Sequence, residues 1–293
     1  SDVCSSDLYT RTYGTNGFYL KLSDIATTSG SNAGLGKDFS GNSNYWTTNN
    51  ISVTSGTTYD AMIDSPTNAS ASGTQPVGNY CTLNPLNVYS SYSITNANLN
   101  FSLTASSGTY FARSTFGVSS GKWYWEVTAT TVGTDNGATG IMKTSFNGQN
   151  GGTYPGYETN SVGYHTDGTK SVNGPNTLYG ASYASGAIIG IGVDCGAGTI
   201  EFFKNGTSQG VINASINYEW TPAQGGYNLS TQPVRDMNFG QRPFTYTNPG
   251  VNRPASDYLA LCTNNMSESN YASVPNGKRY VASKPYTGTG NSQ

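Results

Sequence analysis

The sequence predicts an all-β protein built as an antiparallel β-sandwich, and three observations carry that prediction. Gly121–Val127 (GKWYWEV) alternates strictly: Trp123, Trp125 and Val127 share one face, Tyr124, Glu126 and Thr128 the other, the period of a strand. Ile188–Val211 (IIGIGVDCGAGTIEFFKNGTSQGV) reads as an apolar strand, a Gly-rich turn and a second strand, with Asn205-Gly206 supplying a two-residue hairpin turn. Short strand-like runs recur between Gly and Asn punctuation from about residue 98 to 244, and no segment longer than a turn or two carries helical periodicity.

In chain order, Phe18–Leu22 (FYLKL) reads as a strand. Leu35–Trp46 (LGKDFSGNSNYW) is a turn-rich segment whose Asp and Asn side chains suit local bonds to the backbone. Asp64–Asn68 and Tyr80–Leu86 read as an extended connector, because proline biases its neighbours away from helix. The regular strands then follow: Leu99–Leu103, Tyr110–Phe116, Lys122–Thr131, Ala138–Met142, Ser161–Thr166, Ala187–Asp194, Thr199–Lys204, Thr207–Ile212 and Arg235–Phe239. In the sixth and seventh, Ile189, Ile191 and Val193, then Ile200 and Phe202, each hold one face. Trp220-Thr-Pro222 falls on a loop or strand edge, and Tyr258–Cys262 (YLALC) is a short strand or one helical turn within an otherwise irregular C-terminal tail.

These motifs, in this order, resemble the SPRY domain, a concanavalin-like jelly-roll sandwich. The resemblance rests on the aromatic strand, Ser161–Gly168 (SVGYHTDG), Tyr179-Gly180, the Ile188–Val193 strand, the Thr199–Gly206 hairpin, Trp220-Thr-Pro222, Asn238-Phe-Gly240 and Pro243-Phe244. It implies structural roles for Trp123, Trp125, Phe202 and Phe239 as core, for Gly190 and Gly192 as sites of close approach, and for Asn205 and Gly206 in hairpin register, with Trp220 a further residue of the structural signature. The linker phrases around 64–86 are similar to those preceding such domains in phage structural proteins, so the resemblance is to the phage tail-fibre type. Leu35–Trp46 also resembles segments of laminin-G-like sandwiches.

The expected organisation has four parts. Residues 1–8 (SDVCSSDL) match a translated sequencing adapter, with no initiator Met, basic n-region or apolar h-region, so the chain reads as a metagenomic fragment. Residues 9–85 read as the truncated laminin-G-like end of a preceding module plus a linker, 86–247 as the SPRY-like sandwich, and 248–293 as a linker and the start of a further module.

Composition narrows the function. Charged residues make up 10% of the chain, against roughly 25% in ordinary soluble proteins, and Ser, Thr, Asn, Gly and Tyr take their place. This neutral hydrogen-bonding surface is common in extracellular and virion β-proteins. Fourteen scattered Lys and Arg and a net charge of −2 argue against nucleic-acid binding, which needs clustered cations. No apolar run is long enough for membrane insertion. Setting Cys4 aside leaves Cys81, Cys195 and Cys262, an odd set with no CxxC pair, in which a single disulfide stays open.

Catalytic chemistry is poorly supplied. His165 is the only histidine, so any Ser–His or Cys–His site has to use it; in its strand-to-turn setting it reads as an exposed or hydrogen-bonded turn residue. Glu126 and Glu201 fit solvent faces of strands, and nothing positions a carboxylate pair for glycoside hydrolysis. Metals and cofactors are expected to be absent, and the chain is read as not an enzyme.

Binding chemistry is better supplied. Asn147–Asn160 presents Tyr154 and Tyr157, and Lys170–Tyr183 adds Tyr179 and Tyr183, with His165 nearby in sequence. Tyrosine among Asn, Ser and Gly gives rigid contact area with adaptable hydrogen bonds. The expectation is a non-catalytic binding module of a phage tail fibre or adhesin that recognises a host-surface glycan or protein, carried on a virion or outside the cell. Its further partners are other virion or tail proteins, and a homotrimer of the full-length protein belongs to the same picture. The alternatives are a laminin-G-like lectin segment and, with least support, a glycan depolymerase.

Overall fold

The computed structural model describes residues 13–20, 34–52, 58–60, 71–72, 75–76, 78–88, 92–103, 109–132, 137–146, 153–227, 233–246 and 258–266. The expectations for residues 1–8, for Asp64–Asn68 and for 267–293 lie outside these. A two-strand hairpin, β1 (Ala71–Ser72) and β2 (Gln75–Pro76), precedes the main body. The strands that follow are β3 (Leu83–Val88), β4 (Tyr92–Thr95), β5 (Asn100–Leu103), β6 (Thr109–Ser114), β7 (Lys122–Thr131) and β8 (Gly137–Lys143). Next come β9 (Ser161–His165), β10 (Thr169–Val172), β11 (Asn176–Leu178), β12 (Ile188–Asp194), β13 (Thr199–Lys204), β14 (Thr207–Asn213), β15 (Trp220–Tyr227), β16 (Val234–Asn238) and β17 (Leu259–Ala260). One 3-10 turn, Thr263–Asn265, ends the described chain.

Two sheets form the sandwich. The first runs β11-β10-β9-β8-β15-β6-β3; the second runs β14-β13-β12-β7-β16-β5-β4. Every strand pair is antiparallel except β17, which lies parallel to β7 and takes up the edge of Trp123 and Tyr124 that β16 leaves free. This is the architecture the alternation predicts. The aromatic strand and the apolar strand of the hairpin pair in register over their whole lengths, Ile191 opposite Trp125 and Val193 opposite Trp123. The hairpin closes through Asn205 (φ 48°) and Gly206 (φ 79°), two successive left-handed residues as a type I′ turn requires.

The core between the sheets follows from that register. Trp123, Trp125, Val127, Ile189, Ile191, Val193, Ile200 and Phe202 reach it from the second sheet, and Leu83, Ala112, Ile141, Val162 and Tyr164 from the first. Trp125 stacks on Trp220 at 5.8 Å between centroids. Each large side chain removed from water here contributes about 1.5–3 kcal/mol. A second, smaller core lies outside the second sheet. Tyr124, Tyr80, Phe244, Ala260 and Cys262 cluster there, with Phe203 and Tyr258 packed against them. The glycines of β12 make room for it: a Cβ at Gly190 falls 2.3 Å from the Tyr124 hydroxyl, and one at Gly192 falls 3.1 Å from the Tyr258 ring.

This outer layer corrects several expectations. Glu126 does not face solvent. It is buried beneath the 244–246 segment, where its carboxylate accepts the backbone N–H groups of Thr245 and Tyr246, both at 2.8 Å, and the Tyr124 hydroxyl at 3.2 Å. The sandwich also extends past 86 and 247. Cys81, Leu83 and Leu261 are fully buried in the main core, and the Cys81 amide donates to the Leu261 carbonyl at 2.9 Å. Leu83–Val88 is an edge strand rather than a connector, with Pro85 tolerated because β3 has a neighbour on one side only. Trp220–Tyr227 is a central strand between β8 and β6, disguised in sequence by Pro222 and Gly225-Gly226. Residues 170–183, expected as a loop, include most of β10 and all of β11.

Among the described residues Cys81, Cys195 and Cys262 form no disulfide: Cys81 sits in the inner core and Cys262 in the outer one, so neighbouring backbone does not bring their sulfurs to the same face. In the N-terminal part, Leu20 bridges to Asp38; of the rest of the expected Phe18–Leu22 strand, Phe18 and Tyr19 are not in a strand, and Lys21 and Leu22 lie outside the described residues. The Leu35–Trp46 turn chemistry is present. Asp38 accepts from the amides of Tyr19, Ser40 and Asn44 and from the Ser40 hydroxyl, which holds its carboxyl down at about 2 against the opposing effect of burial, the largest single influence.

Candidate recognition surface

The segment 153–160 does not project from the sandwich. It lies back on the outer face of the first sheet, and small residues on β8 and β9 let it do so. At Gly163 an added Cβ falls 2.1 Å from the Pro155 carbonyl oxygen, so only glycine admits the backbone there. Gly156 sits at φ +96° and close against Ser171. The segment is then tied at both ends. The Gly156 amide donates to Ser161 Oγ, Ser161 Oγ donates to the Glu158 carbonyl, and the Asn160 amide donates to Asn173 Oδ1.

Tyr154 is the keystone of this roof. It is buried between three partners: His165 edge-on at 5.6 Å, Tyr227 stacked at 4.9 Å and Tyr157 tilted at 5.2 Å. Burial, reinforced by the neighbouring phenols of Tyr227 and Tyr157, pushes its hydroxyl pKa up to about 12. Tyr157, at the top of the stack, is 50% exposed. It rests on the Tyr154 ring, which in turn stacks on Tyr227, and is open on its outer side. Leu178 and Val211 are the other large exposed apolar residues near the β11 and β14 edges.

The remaining expected binding residues are structural in their placement. His165 ends β9 and is fully buried rather than lying on an exposed turn. Its Nε2 lies 2.6 Å from Ser171 Oγ, which in turn donates to Asn176 Oδ1 at 2.7 Å. A serine nucleophile needs its proton directed at the imidazole; here that proton points at an amide oxygen, so Ser171 receives from His165 Nε2–H instead. Tyr183 is buried in the main core, with its hydroxyl donating to the Tyr164 carbonyl at 3.4 Å. Tyr179 packs edge-on against Tyr164 and Phe202, and its hydroxyl donates to the Gly210 carbonyl, joining the two sheets at one edge. Lys170 sits over the Tyr179 ring at 5.0 Å. Burial raises both phenols to about 12.

Two features escaped the sequence. Tyr227 lies at the end of a strand hidden by its glycines, and only the sheet register brings it under Tyr154. The buried set of Glu126, Asp236 and Arg242 was also missed, because alternation alone places Glu126 and Asp236 on a face that reads as exposed. Arg242 pairs with Asp236 within that layer, and burial raises the Asp236 carboxyl despite this cation. Cys195 is half-buried and accepts the Trp220 indole N–H at 3.3 Å; burial raises its thiol pKa, the reverse of what a nucleophile requires. Among the described residues no group of three or more His, Cys, Asp or Glu is placed to hold a metal ion.

Comparison with known proteins agrees with this architecture. The family model described as SPRY domain matches residues 122–223. Over 129 residues the chain is 35% identical to Ran-binding protein 10 of Danio rerio and, over the same length, 35% identical to Ran-binding protein 9 of Homo sapiens. Those matches take in 43% of this chain but only 20% and 17% of the relatives. Among solved structures, the SPRY domain of human HERC1 is similar at 19% identity with a TM-score of 0.45, covering 53% of this chain and 96% of that one. The TRIM65 PSpry domain is similar at 16% identity with a TM-score of 0.43, covering 54% and 91%. Residues 122–223, the middle of this sandwich, are therefore similar to the SPRY domain.

Proposed function

We propose that this chain is a non-catalytic recognition module, carried on a phage tail fibre or a related extracellular adhesin, and that it binds a host-surface glycan or protein through Tyr157. The observation that carries this reading is the ring stack Tyr157–Tyr154–Tyr227. A half-exposed tyrosine resting on a buried, stacked one loses little rotamer freedom when a ligand covers it. The low charge of the chain, 10% Asp, Glu, Lys and Arg, supports a surface that works through neutral hydrogen bonds and ring faces. The matched family supports a protein partner; the open aromatic face equally suits a sugar ring. The fibre setting rests on the linker phrases and composition, and the matched relatives do not bear on it.

The test is adhesion of the purified chain to candidate host cells, with Tyr157→Ala and Tyr157→Phe compared. Phe preserves the ring face and is expected to bind as the parent does, whereas Ala is expected to lose binding with its urea midpoint unchanged. Equal adhesion by Tyr157→Ala overturns the assignment. Release of reducing sugar from host polysaccharide overturns the non-catalytic part of it.

A further inference from the structure

The sheet register gives Tyr157 a companion on the same face. Ser171 of β10 and Asn176 of β11 stand opposite one another, with Ser171 close against Gly156 of the roof. Two residues along each strand, Thr169 and Leu178 are opposite in turn and share that outer face. Leu178 is 92% exposed. Within residues 153–227, all of them described, the large exposed apolar side chains are Tyr157, Leu178 and Val211, and Val211 belongs to the second sheet. Tyr157 and Leu178 are also tied to each other through the backbone. The Gly174 amide, in the turn between β10 and β11, donates to the Gly156 carbonyl at 2.9 Å, and the neighbouring Asn173 Oδ1 accepts the Asn160 amide at 2.6 Å. Roof and hairpin thus form one piece, so a partner that covers both residues has little to order.

The charges bordering this pair have one sign. Glu158 follows Tyr157 in the roof. Asp167 is exposed in the turn before β10, where its Oδ1 accepts the Thr169 hydroxyl at 2.6 Å and the Thr169 amide at 2.9 Å. Thr169 is the residue opposite Leu178, so this carboxylate borders the leucine. The cations of the same sheet are turned elsewhere. Lys170, one residue on from Thr169 and so on the other face of β10, lies over the Tyr179 ring at 5.0 Å. Lys143 stands opposite Trp220, whose side chain is in the main core. Arg113, on β6 four strands from β10, is buried and donates to the carbonyls of Lys143 and Thr144. Resting on the reading of Tyr157 as a contact residue, we infer that its partner is a protein segment in which a large apolar side chain covers Leu178 and an adjacent lysine or arginine meets the Tyr157 ring beside Glu158 and Asp167. Burial of leucine against an apolar side chain is favourable, and a cation is attracted by both a phenol face and the acidic border. A neutral glycan supplies neither group.

An array of heptapeptides tests this, each with a central Leu, Phe or Trp flanked by Lys, Arg, Ser or Glu, probed with the full chain and remeasured by fluorescence anisotropy. Lys- and Arg-flanked peptides are expected to bind, Ser-flanked ones more weakly and Glu-flanked ones least. Salt at about 1 M is expected to remove the advantage of the basic peptides over the Ser-flanked ones. Leu178→Ser is expected to weaken binding about tenfold or more with its urea midpoint unchanged. The double variant Glu158→Gln/Asp167→Asn, which keeps an acceptor for Thr169, is expected to weaken the basic peptides about three- to tenfold and to leave the Ser-flanked ones as they were. No binding by any basic peptide, equal binding by the Glu-flanked ones, or parental affinity in Leu178→Ser overturns the inference. Any of these results, with Tyr157→Ala still losing host-cell adhesion, removes this inference and leaves the Tyr157 reading standing; parental adhesion by Tyr157→Ala removes both.

Discussion

Replacing Glu126 by Gln asks whether the outer layer of the second sheet is latched by an acid. In the structure both carboxylate oxygens are used: Oε2 accepts the Thr245 amide, while Oε1 accepts the Tyr246 amide and the Tyr124 hydroxyl. Glutamine keeps one oxygen and turns an NH2 group toward a backbone N–H that has no other acceptor. An orphaned buried donor costs about 1–3 kcal/mol. For a domain of this size each kcal/mol lowers Tm by about 2–4 °C. Opposing this, Gln removes a buried charge. Burial is the largest influence on Glu126 and raises its pKa, against the lowering by its hydrogen bonds and by Arg242. An acid whose folded pKa lies above its unfolded value contributes stability that is complete below the unfolded pKa and is lost as pH rises through the folded one. The cost of Glu126→Gln is therefore greatest below the ordinary glutamate value of about 4.3 and shrinks above it. Urea unfolding followed by tryptophan fluorescence, at several pH values from there to neutrality, measures this directly. A cost that stays flat with pH, or grows as pH rises, refutes the reasoning and places the folded pKa at or below its ordinary value.

Gly163→Ala drives a methyl group into the Pro155 carbonyl; the expected loss is about 1–3 kcal/mol of stability, together with displacement of the Tyr154 ring, read by a lower urea midpoint and a shifted Tyr154 NMR signal. Trp125→Ala removes the fully buried half of the Trp125–Trp220 stack and is expected to cost about 3–5 kcal/mol, measured by the same unfolding. Gly206→Ala places a side chain at φ +79° and against the Tyr246 ring, with an expected cost of about 1–2 kcal/mol; an unchanged midpoint contradicts the type I′ assignment. Cys195, with its raised thiol pKa and its bond to Trp220, is expected to react with a disulfide reagent far more slowly in the native chain than after unfolding.

The sandwich was legible because its second sheet obeys simple rules. β7 and β13 begin and end where alternation places them, at Lys122 and Thr131 and at Thr199 and Lys204, and the Asn205-Gly206 turn fixes how the hairpin closes. The first sheet was less legible. β15 is buried on both faces, so no alternation marks it, and its Pro222 and paired glycines carry the signals of a break. The same difficulty hid the role of the tyrosines. Tyr154, Tyr157, Tyr179 and Tyr183 share the same local setting of Gly, Asn and Ser, yet only Tyr157 is substantially exposed. Whether a tyrosine is roof, core or surface depends on what the register brings above it, and that information is non-local.

Glycine spacing carries more of this architecture than the paired strands alone would need. Gly190 and Gly192 in β12 leave the second sheet thin enough for Tyr124 and Tyr258 to lie over it, and Gly163 in β9 does the same for Pro155 over the first. Both sheets are consequently roofed by their own chain, by 153–160 on one side and by 240–246 and 258–262 on the other. A docking partner then meets the roofs and the turns at the rim rather than open sheet. On the first roof the exposed element is Tyr157, and at the rim of the first sheet it is Leu178. The side chains that identify the fold and those available for recognition are therefore different sets, linked by the glycines that allow each roof to close.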